Sequence, residues 1–429
     1  MIGITMFFVA LAMLLIGFPV AFIFGGVALW FGVYAEGPDM FAFMPFRIQS
    51  IMENTVLMAV PLFVFMGIVL QKTRLAEQLL ESMGKLFGGV RGGLAISTVL
   101  VGALLAASTG VVGASVVAMG LISLPVMLKY NYDKKLACGT ICASGTLGQI
   151  IPPSIILIIL GDVMGIPVGD LFQAAILPGA ILIGAYILYI LIYTFLKPEA
   201  APALPMDPND GSRKEQVFKA MKAIVPPLAL ILVVLGSIFA GIATPTESSA
   251  LGGVGALFLA LIYRQFSWKM VFDAATETVK VSAMVFAILL GATAFSMAFS
   301  YTGGEEVVEH YLSNLPGGAM GFLLLSMLAI LILGFFIDFV EISFIIVPIL
   351  LPAAEVLGIA PLWFAILIAM NLQTSFLTPP FGFSLFYLKG VAPPQVRTLD
   401  IYKGVVPFIV LQILIVISIL LFPGLYGLV

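Results

Sequence analysis

The sequence has few of the residues on which enzyme catalysis usually depends. Its 429 residues include one histidine, His310, and two cysteines, Cys138 and Cys142. A single histidine excludes zinc sites of the His-Glu-x-x-His type and serine–histidine catalysis. The two cysteines lie one helical turn apart in CGTIC. We interpret them as packing residues, because a metal site would need further soft ligands nearby. We therefore expect no enzyme, no transition-metal site and no organic cofactor.

Charged residues are also scarce, at 10% of the chain, whereas 62% of the residues are hydrophobic. Soluble domains have about 25% charged residues. The composition therefore predicts an all-α membrane protein with several spanning helices. The net charge of −3 and the lack of a basic run exclude an obvious nucleic-acid partner. The opening residues, MIGITMFFVA, lack the basic segment of a signal peptide, and we predict that they form the first transmembrane helix.

The sequence contains an internal repeat. Three landmarks recur at one spacing: Gly25 and Gly252 (252 − 25 = 227), Pro125 and Pro352 (352 − 125 = 227), and the pairs Pro152-Pro153 and Pro379-Pro380 (379 − 152 = 227). A constant spacing across most of each half indicates a duplicated unit. We predict a first repeat at 1–200, a cytoplasmic linker at 201–217 in a polar, proline-rich stretch, and a second repeat at 218–429.

Each repeat is predicted to contain two interruptions of its apolar segments. The first has a re-entrant helical hairpin at about 92–128 and a proline-broken helix at about 136–161. The second has a hairpin at about 319–357 and a broken helix at about 362–388. Proline removes a backbone donor, and lipid cannot satisfy unpaired backbone groups. The breaks must therefore line a polar site.

The distribution of Lys and Arg predicts that the second repeat is inverted relative to the first. If both hairpins are re-entrant, 18 of the 19 basic residues fall on one face, and only Arg47 lies opposite. The positive-inside rule makes the basic face cytoplasmic. Inverted repeats with discontinuous helices that meet near the midplane are typical of secondary transporters.

The first hairpin tip and break carry small or neutral oxygen-bearing residues. Hydroxyl and carbonyl oxygens at a helix break suit Na⁺, and helix N-termini suit an anion. The candidate cation ligands are Ser108, Thr109, Gly113, Ser115, Gly145, Thr146 and Gln149, and the candidate substrate ligands are Ser108, Gly110 and Gly148. Close helix packing is the alternative explanation for the small residues. Pro152 and Ser154 are interpreted as residues that shape the break.

The second tip and break add two carboxylates. The candidate cation ligands are Asp338, Glu341, Gln373, Thr374 and Thr378, the candidate substrate ligands are Ser343 and Ser375, and Asn371 lies nearby. Acidic residues inside a membrane are costly and usually functional. The alternative is a hydrogen bond that caps the hairpin tip. Glu247 in TPTESS is interpreted as a carboxylate at a helix N-terminus.

The segments GTLGQIIPPSI and NLQTSFLTPPFGFSLFYLKG, together with the inverted halves, resemble the large membrane subunit of tripartite ATP-independent periplasmic (TRAP) transporters. The resemblance covers essentially the whole chain. It implies an elevator-type, Na⁺-coupled symporter that spans the bacterial inner membrane many times and imports a small organic anion, a carboxylate or sulfonate. Besides the lipid bilayer, it implies two protein partners: a small four-helix membrane subunit and a soluble periplasmic substrate-binding protein. The family's first tip often has Ser-Gly-Ser where this chain has Thr109-Gly110-Val111, so one hydroxyl is missing at Val111.

Two other functions remain open. A stand-alone Na⁺/dicarboxylate symporter or anion exporter of the same superfamily would need no binding protein, and binding of a separate small subunit would discriminate against it. An intramembrane enzyme would need a catalytic dyad or a metal. No phosphate-binding loop of the P-loop type is present, so we expect transport to be driven by an ion gradient.

Overall fold

The structure is a computed structural model of the chain. It describes residues 2–73, 75–110, 112–204 and 213–429, and at residues 75, 76, 107–109 and 213 it describes only the backbone. The described residues form helices and helical turns, without strands. Seven of these helices are long and apolar enough to cross a membrane. The prediction of an all-α membrane protein is therefore confirmed.

The first half starts with two helices that glycine and proline separate. Gly17 has a positive φ of 94°, and Pro19 takes the N-cap position of the second helix. The helices of this half are α1 (Ile2–Ile16), α2 (Val20–Glu36), α3 (Met44–Met52), α4 (Ala59–Lys72), α5 (Leu75–Phe87), α6 (Gly93–Thr109), α7 (Val112–Lys129), α8 (Lys134–Thr146), α9 (Ile155–Met164) and α10 (Val168–Leu196). The sequence did not predict α3, which has no buried residue.

The second half follows a similar order, with one long helix, α13, in the place of α3 and α4. Its helices are α11 (Arg213–Phe239), α12 (Pro245–Ile262), α13 (Trp268–Tyr301), α14 (Gly304–Ser313), α15 (Gly318–Leu333), α16 (Phe339–Glu341), α17 (Val347–Val356), α18 (Pro361–Leu377), α19 (Phe383–Val391) and α20 (Thr398–Leu421). Residues Ile342–Ile346 form a π turn that joins α16 to α17.

Helices of the two halves pack against each other in two equivalent contacts. In one contact α2 packs against α13, and in the other α12 packs against α4. Both contacts depend on glycine: a Cβ atom at Gly291 would lie 2.5 Å from the carbonyl oxygen of Ala21, and one at Gly252 would lie 2.6 Å from the sulfur of Met66. Small residues allow helices to approach this closely inside a membrane.

The segment between the halves is only partly described. Of the predicted linker 201–217, residues 205–212 lie outside the described residues, and residues 213–217 already belong to α11. Before that gap the backbone bonds to the ends of other helices. The Leu204 N–H donates to the Gly88 carbonyl at 2.7 Å, and the Ala201 carbonyl accepts from the Gly92 N–H at 3.1 Å. The end of the first half is thus fixed to the loop between α5 and α6.

Proline pairs end a helix in each half. In the first, α8 stops at Thr146, a short 3₁₀ turn covers residues 147–149, and α9 begins after Pro152-Pro153. In the second, α18 ends at Leu377 and α19 begins after Pro379-Pro380. Both Pro–Pro peptide bonds are cis. These two interruptions, which we call break 1 and break 2, place non-helical backbone inside the packed helices.

Candidate functional site

Break 1 and break 2 each bury a glutamine side chain without satisfying it. Gln149 is 1% exposed and Gln373 is 0% exposed, and neither amide atom of either side chain has a hydrogen-bond partner among the described residues. Gln373 lies beside the Tyr186 hydroxyl, but not in hydrogen-bonding geometry. An unpaired buried polar group costs about 1–3 kcal/mol. Such groups usually have a partner, so the two glutamines indicate a ligand.

The second hairpin tip, between α15 and α16, presents two more unpaired oxygens. Oε2 of Glu341 and Oγ of Ser343 have no partner among the described residues, and both side chains are buried. Asp338 precedes α16, and its Oδ1 accepts a hydrogen bond from the Phe339 N–H at 2.7 Å. The sequence has no Lys, Arg or His between residues 311 and 388. A buried carboxylate without a basic partner fits a cation ligand.

The predicted hydroxyl ligands of the breaks donate to their own helices. The bonds run from Thr146 to the Ala143 carbonyl at 2.9 Å, from Thr374 to Met370 at 3.1 Å, from Ser375 to Leu372 at 2.7 Å and from Thr378 to Thr374 at 2.7 Å. A hydroxyl that donates in this way keeps its oxygen lone pairs available. These side chains can therefore face a cation as acceptors. Asn371 instead links α18 to α15, because its Nδ2 donates to the Met327 carbonyl at 2.6 Å.

The predicted glycine ligands lie at close contacts. Gly145 packs on Val116, Gly148 packs on the backbone of Ala106, and Gly110 has a positive φ of 61° at the end of α6. A Cβ atom at Gly113 would lie 2.7–3.0 Å from the ring of Tyr387. Close packing therefore accounts for these glycines, whether or not their backbone also contacts a ligand.

The first tip, between α6 and α7, is less completely described. The side chains of Ser108 and Thr109 and all of Val111 lie outside the described residues. Ser115, in the first turn of α7, is 2% exposed. The missing hydroxyl at Val111 remains a sequence-based observation.

Packing brings parts of both halves together. The 3₁₀ turn of break 1 lies against α18, α9 lies against the π turn, and α19 lies against α7. Break 1 and the segments next to break 2 and the second tip thus contact elements of the other half. Two contacts were not predicted from sequence. Asn54 Nδ2 donates to Asp162 Oδ1 at 2.6 Å, and Gln412 Nε2 donates to the Tyr186 hydroxyl at 2.8 Å.

Comparison with known proteins decides the family. A family model described as the tripartite ATP-independent periplasmic transporter, DctM component, matches residues 7–425. The chain belongs to this family. The resemblance inferred from the sequence is therefore confirmed, and this TRAP permease is a multi-pass protein of the bacterial inner membrane rather than an enzyme.

Several curated TRAP permeases are similar over most of their length. The C4-dicarboxylate permease DctM of Pseudomonas aeruginosa is 31% identical over 355 residues, which cover 82% of each chain. The sialic acid permease SiaM of Vibrio cholerae is 29% identical, with 96% of this chain and 95% of SiaM covered. The ectoine permease TeaC of Halomonas elongata is 28% identical, with the same two shares covered.

The fold of this TRAP permease is also similar to a solved transporter structure. The YdaH transporter of Alcanivorax borkumensis superposes with a TM-score of 0.64 at 14% identity, and the match covers 91% of this chain and 90% of YdaH. At this identity the similarity concerns the fold alone.

Proposed function

We propose that the chain is the transport subunit of a Na⁺-coupled symporter that imports a small organic anion. Its family is tripartite by description, and its relatives are named for C4-dicarboxylate, sialic acid and ectoine. The proposed partners are a small four-helix membrane subunit and a periplasmic substrate-binding protein that delivers the anion. The observation that carries the proposal is the set of buried, unpaired polar atoms at the two breaks and the second tip.

We propose that the two halves are inverted-topology repeats that support elevator-type alternating access. The recurring order of helices, the 227-residue spacing and the reciprocal contacts of α2 with α13 and of α12 with α4 support this arrangement. In this scheme α1, α2, α4 and α11 to α13 form the stationary scaffold. The hairpins and broken helices carry the ligands across the membrane.

Coupling follows from the charges at the second tip. Without a cation, the Glu341 carboxylate and the unpaired amides must be moved through the membrane while they lack partners. A bound Na⁺ neutralises the carboxylate and uses the lone pairs of nearby hydroxyls. An anion then adds to a site that already contains positive charge, and helix N-termini at the tips provide N–H donors. Each solute therefore lowers the cost of moving the other.

The test is uptake into proteoliposomes that contain the large and small membrane subunits, with the matching binding protein outside. We expect uptake of the radiolabelled anion to require Na⁺ and to stop when choline replaces it. Uptake that is unchanged in choline, or that requires ATP, would contradict the proposal. Uptake without the binding protein and small subunit would favour a stand-alone symporter.

A further inference from the structure

Three aromatic side chains around the second tip and break 2 are only half-buried. Phe336 at the tip is 45% exposed, Phe381 in break 2 is 44% exposed, and Tyr387 on α19 is 43% exposed. Other aromatic residues nearby are packed in the core, such as Phe376 at 2% and Phe339 at 9%. We call these three half-buried rings the aromatic rim; Phe386, the residue before Tyr387, is more exposed at 56% and is not included.

The members of the aromatic rim belong to one region. The rings of Phe336 and Phe381 have centroids 5.3 Å apart and a 40° angle between their planes. Tyr387 places the hydroxyl end of its ring over Gly113, so it reaches from the second half to the first tip. Asp338 lies two residues after Phe336 in the same tip. A surface that bridges both halves beside a carboxylate is a poor lipid contact, because membranes exclude unpaired acids.

The charge of the region limits what can bind there. Residues 92–128, 136–196 and 311–388, which contain both tips and both breaks, have no Lys, Arg or His. Lys389 follows on α19, but its ammonium group lies 3.4 Å from the Val396 carbonyl. One anionic group can be neutralised by a co-bound cation and helix N–H groups. A second carboxylate would have no basic partner, whereas an apolar group would find aromatic surface.

We propose that Phe336, Phe381 and Tyr387 bind the organic part of the substrate, and that the preferred substrate is a monocarboxylate with an apolar body. This inference rests on the proposed function, because it assumes that an anion binds between the tips. The two halves differ directly after the aligned proline pairs, where Phe381 corresponds to Ser154 (381 − 154 = 227). The aromatic surface is therefore a property of the second half.

The experiment measures ligand-induced thermal stabilisation of the purified chain in Na⁺ with four probes: acetate, butyrate, phenylacetate and succinate. We expect apparent affinity to increase from acetate to butyrate to phenylacetate, and succinate to stabilise least. Phe381→Ser should weaken phenylacetate about tenfold, as expected for the loss of an aromatic contact, while acetate changes little. Phe258→Ser, at an exposed phenylalanine of α12 that is 60% exposed, is the control.

Several outcomes would overturn the inference. These are stabilisation by succinate at lower concentration than by phenylacetate, equal losses for acetate and phenylacetate in Phe381→Ser, or no stabilisation by any monocarboxylate. Should Phe381→Ser fold poorly, Tyr387→Phe retains the ring and Phe381→Leu retains an apolar side chain, and both should fold.

Repeating the titration in choline separates the two proposals. Phenylacetate stabilisation that is equal in choline supports the aromatic rim but contradicts Na⁺ coupling.

Discussion

Break 1 and break 2 have a similar backbone and different side chains. In break 1 the Ser154 hydroxyl donates to the Gln149 carbonyl at 2.6 Å, and in break 2 the Ser384 hydroxyl donates to the Phe376 carbonyl at 2.8 Å. The two acceptors are equivalent in sequence, since 376 − 149 = 227. A serine after each proline pair thus occupies one lone pair of the same carbonyl, so the serines maintain the breaks.

The side chains differ in charge and polarity. Break 1 adds a neutral glutamine, whereas the second half adds Asp338, Glu341 and the aromatic rim. The comparison suggests a division of labour under the proposed function. The first half would contribute neutral ligands, and the second half would contribute the charge that attracts a cation and the apolar surface that selects a substrate.

The largest expected effect tests the charge-based topology from which inversion of the halves was inferred. Single cysteines replacing Arg47 and Lys134 should lie on opposite sides of the membrane, so an impermeant thiol reagent added to intact cells should label the first and not the second. The native Cys138 and Cys142 are fully buried and serve as an unlabelled background. Equal labelling at 47 and 134 would contradict this topology, and with it the charge argument for inverted halves.

The next effect tests the charge of the second tip. Glu341→Gln keeps the shape of the side chain and removes a buried carboxylate. The loss of a charged ligand should cost a few kcal/mol, about two decades in apparent Na⁺ affinity. Asp338→Asn should cost less, because asparagine can still cap α16. The measurement is uptake against Na⁺ concentration, with Glu355→Gln, an exposed glutamate of α17, as the control.

A normal Na⁺ dependence in Glu341→Gln would indicate that the cation site lies in the first half. Equal losses in Asp338→Asn and Glu341→Gln would show that both carboxylates bind the cation. In that case the main role of Asp338 would be cation binding, and its capping of α16 would be a minor role.

The smallest effect concerns the two unsatisfied glutamines. Gln149→Met and Gln373→Met should each raise the stability of the ligand-free protein by about 1 kcal/mol, because a buried polar group without a partner is removed. The apparent affinity for Na⁺, read from the Na⁺-dependent rise in Tm, should decrease about tenfold. Gln412→Met is the contrasting case: Gln412 Oε1 is also unpaired, but Nε2 donates to the Tyr186 hydroxyl, and loss of that bond should lower stability. Thermal unfolding with and without Na⁺ measures both quantities, and a lower ligand-free Tm in Gln149→Met would contradict the interpretation.

The sequence predicted the helical membrane class and the family because composition and motifs are local properties. It also identified Glu247 as a helix N-terminal carboxylate, and the structure has the corresponding capping box, in which the Thr244 N–H donates to Glu247 at 2.8 Å. The π turn at Ile342–Ile346 could not be predicted, because its i→i+5 bonding leaves no hydrophobic period. The contact between Gly113 and Tyr387 depends on packing between the halves, which no single segment determines.

The exchanged contacts of α2 with α13 and of α12 with α4 also bear on how such a chain arose. A half synthesised alone would leave the faces of its α2-type and α4-type helices uncovered. A second copy in the opposite orientation would cover both faces at once, because the two contacts are reciprocal. If the halves are inverted as proposed, the ancestor of the duplicated gene is expected to have encoded a polypeptide that inserted both ways and dimerised, and fusion fixed one orientation for each copy.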